Sequence, residues 1–357
     1  GGMHRGGSEN WLGSIGMGFE FLQFERPDLW DRFTRREEYE NPIRDMHGRF
    51  PYWASRERDI FRPSVSEYLY ERGIIKPEYP DGCEFAVCVT HDIDNVFKPV
   101  SSKLFEGFIA LKHGHEKVVK KKELLSLHNR KSPYFNFDQI LSLEKKYDVQ
   151  STWFFQALIP GEPEFRYFLS DVESVFGDIL DAEGEIGLHG GFETAYNLDQ
   201  LICEKNRLEK ALGQKVMGYR SHFLKFVVPE TWENLAKAGF YYDSTLGYAD
   251  CAGFRSGMCH PYRPVNLKTG NEINIIELPQ HIMEMSIFNN YMRLDFDMGW
   301  KLVQQIIDQV HGCKGILVIN WHNTSYLEGS IERKFIDKVI GYCKMKNAWM
   351  NRLDQFL

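Results

Sequence analysis

The chain has 357 residues, of which 43% are hydrophobic and 26% are charged, as is typical of a folded globular protein. Its formal net charge of -7 argues against a general nucleic-acid-binding protein, because such proteins usually present a basic face. No apolar run approaches the roughly 20 residues that a membrane-spanning helix requires. We therefore expect neither a nucleic-acid partner nor a membrane span, and the oligomeric state stays open.

The N-terminal region differs in pattern from the rest of the chain. Residues 9–80 are rich in aromatic residues and in charges of both signs, without the alternation that predicts strands. A turn-rich stretch at 76–82, with two prolines and a glycine, indicates a boundary. We predict an accessory segment over 1–83, made of short helices and loops, that packs against a main domain over 84–357.

The cysteines bear on the cellular compartment. The chain has seven, scattered along its length, and no two form a CxxC pair. In a chain of this length the odd number favours reduced, mostly buried thiols over a disulfide framework. The first eight residues also lack the apolar core of a secretory signal. We therefore expect a cytoplasmic location.

Strand and helix patterns alternate through the main domain. Short apolar runs predict strands at 85–89, 151–155, 185–189, 216–220, 241–243, 275–278 and 316–320. Apolar spacing predicts helices at 137–146, 163–180, 198–212, 229–238 and 299–310, and a lysine-rich helical insert with a solvated face at 101–127. This alternation predicts a parallel sheet in the α/β class.

Polar residues stand where the predicted strands end. They are Asp92, Asp94, His189, Arg220, Asp243 and His322. Parallel barrels carry their functional residues at this carboxyl rim, so the placement favours a barrel. A doubly wound open sheet is the alternative, although no glycine-rich phosphate loop follows the first strand.

Asp92 and Asp94 are separated by one residue, which places both side chains on one face of a strand. Like charges so close raise the pKa of one carboxyl group unless a cation stands beside them. A divalent metal beside one carboxylate and an arginine beside the other would allow both to stay ionised. A helix cap or turn made by the aspartate pair is an alternative of equal weight.

His189 is followed by Gly190 and Gly191, which allow close approach of a ligand to the backbone. Taken alone, His189 has a simpler interpretation as a structural histidine, and Arg220 has one as a surface ion pair. Their joint placement with His322 at strand ends favours a shared metal and acid–base site.

The order and spacing of these motifs resemble those of the NodB-type polysaccharide deacetylases, also called carbohydrate esterase family four. The matching stretches are 89–94, 185–190, 218–223, 238–244 and 319–322, within about 84–325. The resemblance implies a distorted (β/α) barrel. Residues around 35–51 are similar to the N-terminal extension of the envelope-polysaccharide subgroup, which suggests bacterial O-antigen or capsule biosynthesis.

The resemblance also implies roles for individual residues. Asp92 would be the general base, Asp94 and His189 metal ligands, Arg220 the partner of the base, and His322 the general acid. A carboxylate would keep His322 protonated, and Asp243 is one candidate for it. The metal would be divalent, with zinc expected first and cobalt or nickel as alternatives, because mixed N/O ligation fits several ions.

Two positions depart from the family pattern. The second motif normally has another histidine four residues after the first, where this chain has Glu193. The third motif normally has proline two residues after the arginine, where this chain has His222. Either residue could be the third ligand, and we favour His222 because imidazole is a common zinc ligand. A metal-free, inactive site is the remaining alternative.

The function expected from the resemblance is metal-assisted removal of an N-acetyl group from an amino sugar or polysaccharide. Hydrolysis of a small cyclic amide is a second enzyme hypothesis, since some members of this barrel family catalyse it. A carbohydrate-binding barrel with a decayed site is a third hypothesis, from a different class of protein.

Overall fold

The computed structural model describes residues 18–97, 132–289 and 291–357. The strands within these ranges form one large sheet and a small two-stranded one. In chain order they are β1 (Phe85–Ile93), β2 (Thr152–Phe155), β3 (Glu185–Gly190), β4 (Gly218–Ser221), β5 (Tyr242–Asp243), β6 (Val265–Asn266), β7 (Asn271–Glu272), β8 (Ile276–Glu277), β9 (Ile282–Met283), β10 (Ile316–Asn320) and β11 (Ala348–Met350). The predicted insert at 101–127 lies outside the described residues.

The large sheet is parallel, and β1 lies at its centre. Eight strands follow the order β8-β5-β4-β3-β2-β1-β10-β9, and β11 pairs with the start of β1. All nine residues of β1 are buried. A parallel strand covered on both faces carries a nearly continuous apolar run, which is why the sequence identifies β1 clearly.

The strand registers align the carboxyl ends of neighbouring strands. Asp92 of β1 is paired with Phe154 of β2, and Thr90 of β1 with Asn320 of β10. His189 of β3 is paired with Arg220 of β4. The polar residues that follow the apolar runs are therefore brought to one rim of the sheet.

The sheet curves into a distorted barrel that is open at one seam. The two outermost strands, β8 and β9, are each two residues long. Within the described part of the chain, no strand pairing joins them. The predicted (β/α) barrel is confirmed, with this opening as its distortion.

Helices cover the outer face of the sheet and make up much of the N-terminal segment. They are α1 (Leu22–Glu25), α2 (Pro27–Phe33), α3 (Arg36–Glu40), α4 (Ser64–Glu71), α5 (Phe137–Tyr147), α6 (Glu173–Asp181), α7 (Leu198–Leu212), α8 (Glu230–Lys237), α9 (Glu284–Phe288), α10 (Phe296–Gly312) and α11 (Ile331–Met345). Among the helices described here, none has both the length and the apolar character needed to cross a membrane.

The predicted helices are confirmed where the sequence supplies both spacing and end signals. The Asn197 side chain accepts a hydrogen bond from the backbone N–H of Gln200 at the start of α7, which satisfies a free donor of the first turn. Gly213 ends α7 with a left-handed backbone, φ 74°. The helix predicted at 163–180 instead begins at Glu173, after a short 3-10 turn at Leu169–Asp171.

The described part of the N-terminal segment packs into the same hydrophobic core as the barrel. The ring of Phe33 in α2 lies 5.0 Å from that of Tyr262, measured between centroids. Behind it lies a buried ionic cluster made of Arg35, Glu38 and Arg255. Glu38 accepts hydrogen bonds from Arg35 Nε at 2.8 Å and from Arg255 Nη2 at 2.6 Å, so it joins the segment to the barrel.

The charges of this buried ionic cluster depend on one another. Burial raises the pKa of Glu38, but the charges of Arg255 and Arg35 lower it by more than burial raises it. The net pKa of Glu38 therefore lies below the ordinary value. Both guanidinium groups are almost fully buried. A carboxylate that neutralises two buried cations is therefore needed to keep the segment docked.

Replacing Glu38 with glutamine should leave Arg255 buried without its carboxylate partner, whereas Arg35 keeps a second one, Glu37, at 2.6 Å. We expect E38Q to lower the free energy of unfolding by about 3–5 kcal/mol, as for other broken buried pairs. Urea unfolding measures this loss. The matched control is E40Q in the same helix, because Glu40 pairs with Arg56 at the surface and should contribute no more than about 1 kcal/mol. Equal unfolding midpoints for the two variants would contradict the prediction.

Candidate metal centre and acid–base site

Three side chains meet at the carboxyl rim of β1, β3 and β4. Asp94 directly follows β1, His189 lies in β3, and His222 directly follows β4. One ligand atom from each residue lies within 4.8 Å of the other two. His189 Nε2 is 3.0 Å from Asp94 Oδ1, and His222 Nε2 is 3.6 Å from Asp94 Oδ2. The structure therefore brings the three predicted ligands together.

The chemistry of these groups fits a divalent metal. Asp94 Oδ1 and His189 Nε2 are both buried, and neither has a hydrogen-bond partner of good geometry among the described residues. Buried polar atoms in native proteins are normally hydrogen-bonded, so these two atoms, which lie 3.0 Å apart without hydrogen-bond geometry, fit one ligand that both contact. Two imidazoles and one carboxylate form a donor set that zinc accepts, with a further position left for water or substrate.

The ring of His189 is oriented by the main chain. Its Nδ1 lies 3.1 Å from the carbonyl oxygen of Arg220, which directs Nε2 towards Asp94. Metal-binding histidines commonly donate their second ring N–H to a carbonyl or carboxylate in this way. The tautomer that this contact requires is the one that ligation through Nε2 needs.

Glu193, the other candidate for the third ligand, does not lie with Asp94 and His189. Among the residues that the structure describes, the metal-type cluster contains His222 and does not contain Glu193. Glu193 is half-buried. Its charge acts on two other residues: it adds to the effect of burial that raises the pKa of Tyr196, and it opposes the stronger effect of burial that lowers the pKa of Lys225. The geometry therefore favours His222.

Asp92 lies beside this centre as a buried carboxylate with two fixed partners. Arg220 Nη1 lies 3.1 Å from Oδ1, and Asn320 Nδ2 donates to Oδ2 at 2.7 Å. Burial raises the pKa of Asp92, but the charges of His189, Arg220 and His322 outweigh it, so that its net pKa is lowered. Asp92 is therefore ionised at neutral pH.

Arg220 is itself held from several directions. Its Nε donates to the carbonyl oxygen of Ser244 at 2.8 Å, and its Nη2 to the hydroxyl of the same residue at 2.9 Å. Nη1 also donates to the hydroxyl of Thr90. The guanidinium lies over the ring of Phe154, 4.5 Å from its centroid. A planar group fixed in this way leaves the Asp92 carboxylate in one orientation.

His322 stands on the other side of Asp94, with Nε2 3.5 Å from Asp94 Oδ2. Its Nδ1 lies 2.8 Å from Oε1 of Glu284, a residue with no solvent exposure. Burial lowers the pKa of His322, but the charges of Glu284 and Asp94 outweigh it and raise the pKa to about 10. The imidazole is therefore protonated at neutral pH.

The carboxylate neighbour of His322 is Glu284 and not Asp243, so that expected contact is corrected. Asp243 accepts a hydrogen bond from the Thr245 hydroxyl and lies in register with the buried Glu277 of the neighbouring strand β8. Burial is the main cause that raises the pKa of Asp243 to about 6. The two buried acids pair with one another on the β5 and β8 side of the barrel.

The sequence pattern does not single out Glu284, because β9, which it follows, is only two residues long. Ile282 and Met283 are too few for a strand pattern. The available signal is an acidic residue directly after two apolar ones. His91, which precedes Asp92, points away from the site, where its ring nitrogens contact Glu144 and the carbonyl oxygen of Trp321.

Comparison with solved structures bears on the fold. A protein from Mycobacterium smegmatis assigned as a polysaccharide deacetylase aligns with a TM-score of 0.52 and 21% sequence identity, over 78% of this chain and 91% of that chain. A protein from Pseudomonas aeruginosa PAO1 with the same assignment aligns with a TM-score of 0.52 and 13% identity, over 88% and 96%. This chain has the fold of the polysaccharide deacetylases.

A structure named for a different activity also shares this fold. The PuuE allantoinase aligns with a TM-score of 0.52 and 15% identity, over 88% of this chain and 96% of that chain. Comparisons with protein-family models and with curated proteins give no match. Activity therefore has to be inferred from the site.

Removal of the Glu284 charge should lower the pKa of His322. We expect the His322 ring of the metal-free parent protein to stay protonated up to about pH 10. In E284Q the supporting charge is lost while burial remains, so deprotonation should occur at lower pH. NMR titration of the imidazole signals measures the shift. The matched control is E84Q, which removes the carboxylate beside the distant His311. An unchanged His322 titration in E284Q would contradict the assignment.

Proposed function

We propose that this chain is a metal-dependent hydrolase that removes an N-acetyl group from an amino sugar. One observation carries the proposal: an ionised carboxylate and a protonated imidazole both lie beside a three-ligand centre. Asp92 Oδ2 is 4.0 Å from Nε2 of both His189 and His322, and His322 Nε2 is 3.5 Å from Asp94 Oδ2. A base and an acid beside one centre are what hydrolysis of an amide requires.

The residues present could hold the ion and divide the proton transfers between them. Asp94, His189 and His222 would hold the ion, which would supply a Lewis acid for the acyl oxygen and would lower the pKa of a bound water to about 7. Asp92, ionised and fixed by Arg220, accepts the proton of the attacking water. His322, kept protonated by Glu284, donates a proton to the nitrogen of the leaving amine.

The opposite protonation states of the two groups come from their surroundings. Asp92 faces cationic partners, which lower its pKa, whereas His322 faces carboxylates, which raise its pKa. Environments that separate the pKa values of neighbouring groups assign the base and the acid. In the metal-free chain the surrounding charges therefore favour the carboxylate form of Asp92 and the imidazolium form of His322, the two states that a base and an acid need.

The substrate class rests on the fold and on the motifs. An N-acetylated amino sugar in bacterial surface polysaccharide biosynthesis is our proposal, supported by the deacetylase fold of two solved structures. Zinc is the ion we propose first, because the ligands are two nitrogens and one oxygen. Cobalt and nickel remain compatible with this donor set.

The first test is release of acetate from N-acetylated sugars by the metal-loaded protein. We expect D92N to lose about 10²- to 10⁴-fold in rate, as is typical of a lost general base. D243N is the matched control, because Asp243 is an equally buried aspartate that bonds to Thr245 instead of to Asp92 or His322. It should stay within a few-fold of the parent. Activity that survives thorough chelation, or full activity of D92N, would overturn the mechanism.

The second test separates the two candidates for the third ligand. We expect H222A to bind zinc far more weakly than the parent, since even changes outside the ligand shell cost about 10- to 100-fold in affinity. E193Q should bind zinc like the parent. Competition with a chromophoric chelator measures both affinities. Loss of zinc in E193Q with retention in H222A would reverse the assignment.

A second candidate function is hydrolysis of a small cyclic amide or ureide. It is favoured by the structural match to an allantoinase, which equals the deacetylase matches in TM-score. Ring opening of cyclic ureides by the metal-loaded protein, without release of acetate from acetylated sugars, would select this function. A parent protein that binds no metal under metal-replete conditions would instead indicate a binding protein with a decayed site.

A further inference from the structure

The turn that carries His222 has an unusual backbone. Phe223 and Leu224, the two residues after His222, have φ angles of 60° and 53°. Left-handed backbone is uncommon for residues other than glycine, asparagine and aspartate, and is least expected for bulky side chains. Two such residues in succession persist only when surrounding contacts determine the conformation. The contacts that hold this turn are therefore relevant to the metal centre.

His222 also lacks the usual support of a metal-binding histidine. His189 is oriented through the contact of its Nδ1 with the Arg220 carbonyl oxygen. The corresponding atom of His222, Nδ1, is buried and has no hydrogen-bond partner among the described residues. Its ring instead stacks on that of Phe223, with centroids 3.9 Å apart and planes at 27°. The orientation of His222 therefore depends on the position of Phe223.

The N-terminal segment supplies the contacts that fix Phe223. We define residues 45–49 as the 45–49 loop. Arg49 Nη1 donates to the carbonyl oxygen of Phe223 at 2.9 Å, and the ring of His47 stacks on the Phe223 ring at 4.8 Å and 13°. Phe223 is therefore held at both its backbone and its side chain by one loop.

The 45–49 loop is itself rigidly built around Asp45. This carboxylate accepts from Arg49 Nε at 2.7 Å and from the backbone N–H groups of His47 and Arg49, each at 2.9 Å. Arg49 also donates from Nη2 to the Tyr291 hydroxyl at 2.8 Å. Arg49 is 6% exposed, so its hydrogen bonds are shielded from water.

We propose that the 45–49 loop is a positioning element of the metal centre, in which Arg49 and His47 hold Phe223 so that His222 faces Asp94 and His189. This inference rests on the metal site of the proposed function. The N-terminal segment then has the task of orienting His222. If Glu193 were the third ligand, this task would not be needed. The barrel and the accessory segment then form one site.

Substitution of Arg49 should disturb the metal centre without touching any ligand. We expect R49M to weaken Co²⁺ affinity by about 10- to 100-fold, the usual effect of removing support from a ligand. Its cobalt absorption spectrum should move towards that of H222A. H47A removes only a half-buried ring, and we expect a smaller loss of about 2- to 10-fold, as for other aromatic pairs.

The matched control is R32M. Arg32 is another buried arginine of the N-terminal segment, 5% exposed, and it donates to the carbonyl oxygen of Phe254 at 3.0 Å, away from the metal ligands. R32M removes a comparable contact between segment and barrel, so it should match R49M in lost stability and keep the cobalt spectrum and affinity of the parent. Circular dichroism verifies that each variant is folded before titration.

The outcomes separate this inference from the proposed function. Parent-like cobalt affinity and spectrum in folded R49M and H47A would overturn the positioning role and leave the metal centre intact. Equal cobalt losses in R32M and R49M would also overturn it, because general destabilisation would then explain both. If R49M does not fold, the cobalt affinity and spectrum of H47A decide: values like those of the parent overturn the positioning role, and a weaker affinity supports it. A parent protein that binds no cobalt would overturn the metal centre and this inference together.

Discussion

The buried guanidinium of Arg220 is the group on which the arrangement of the site depends. It joins β4 to Asp92 and Thr90 of β1 and to Ser244, which follows β5, so it ties together strands on both sides of β3. The main-chain carbonyl oxygen of Arg220 also orients the ring of His189. A buried charge of this kind is costly unless its partners are complete, and here the partners are the residues that the chemistry needs. The requirement to satisfy one cation therefore organises base, ligand and strand ends together.

The strand ends could be predicted because short apolar stretches stop there. Asp92 and Asp94 stand at the end of the apolar run of β1, and His189 follows Ile186 and Leu188 in β3. An ionisable group at the end of a buried strand has few structural explanations. His222 could be weighed only against Glu193, since a sequence does not show which of two side chains turns inwards. The direction of His222 is set by the backbone of Phe223, and no residue pattern encodes a left-handed phenylalanine.

Glu284 and the contacts of Asp243 could not be predicted for a different reason. β5, β8 and β9 are only two residues long, so the sheet there is defined by tertiary packing and not by local pattern. Which acid lies beside His322 depends on the path of the chain around the open seam of the barrel. The N-terminal segment was expected to pack against the barrel, but its buried ionic cluster joins residues far apart in sequence, such as Glu38 and Arg255. Long-range pairing of this kind leaves no trace in local composition.

The wide separation of Asp94, His189 and His222 along the chain has a thermodynamic consequence. Two histidines within one helical turn or loop can chelate an ion even in an unfolded chain, whereas these three ligands meet only after β1, β3 and β4 have assembled. An ion at this centre would therefore bind the native state almost exclusively. Mass action then converts its affinity into resistance to unfolding, by about 2.7 kcal/mol when the free ion is present at 100 times its dissociation constant. Metal supply would thus change the free energy of unfolding of the chain as well as the proposed activity.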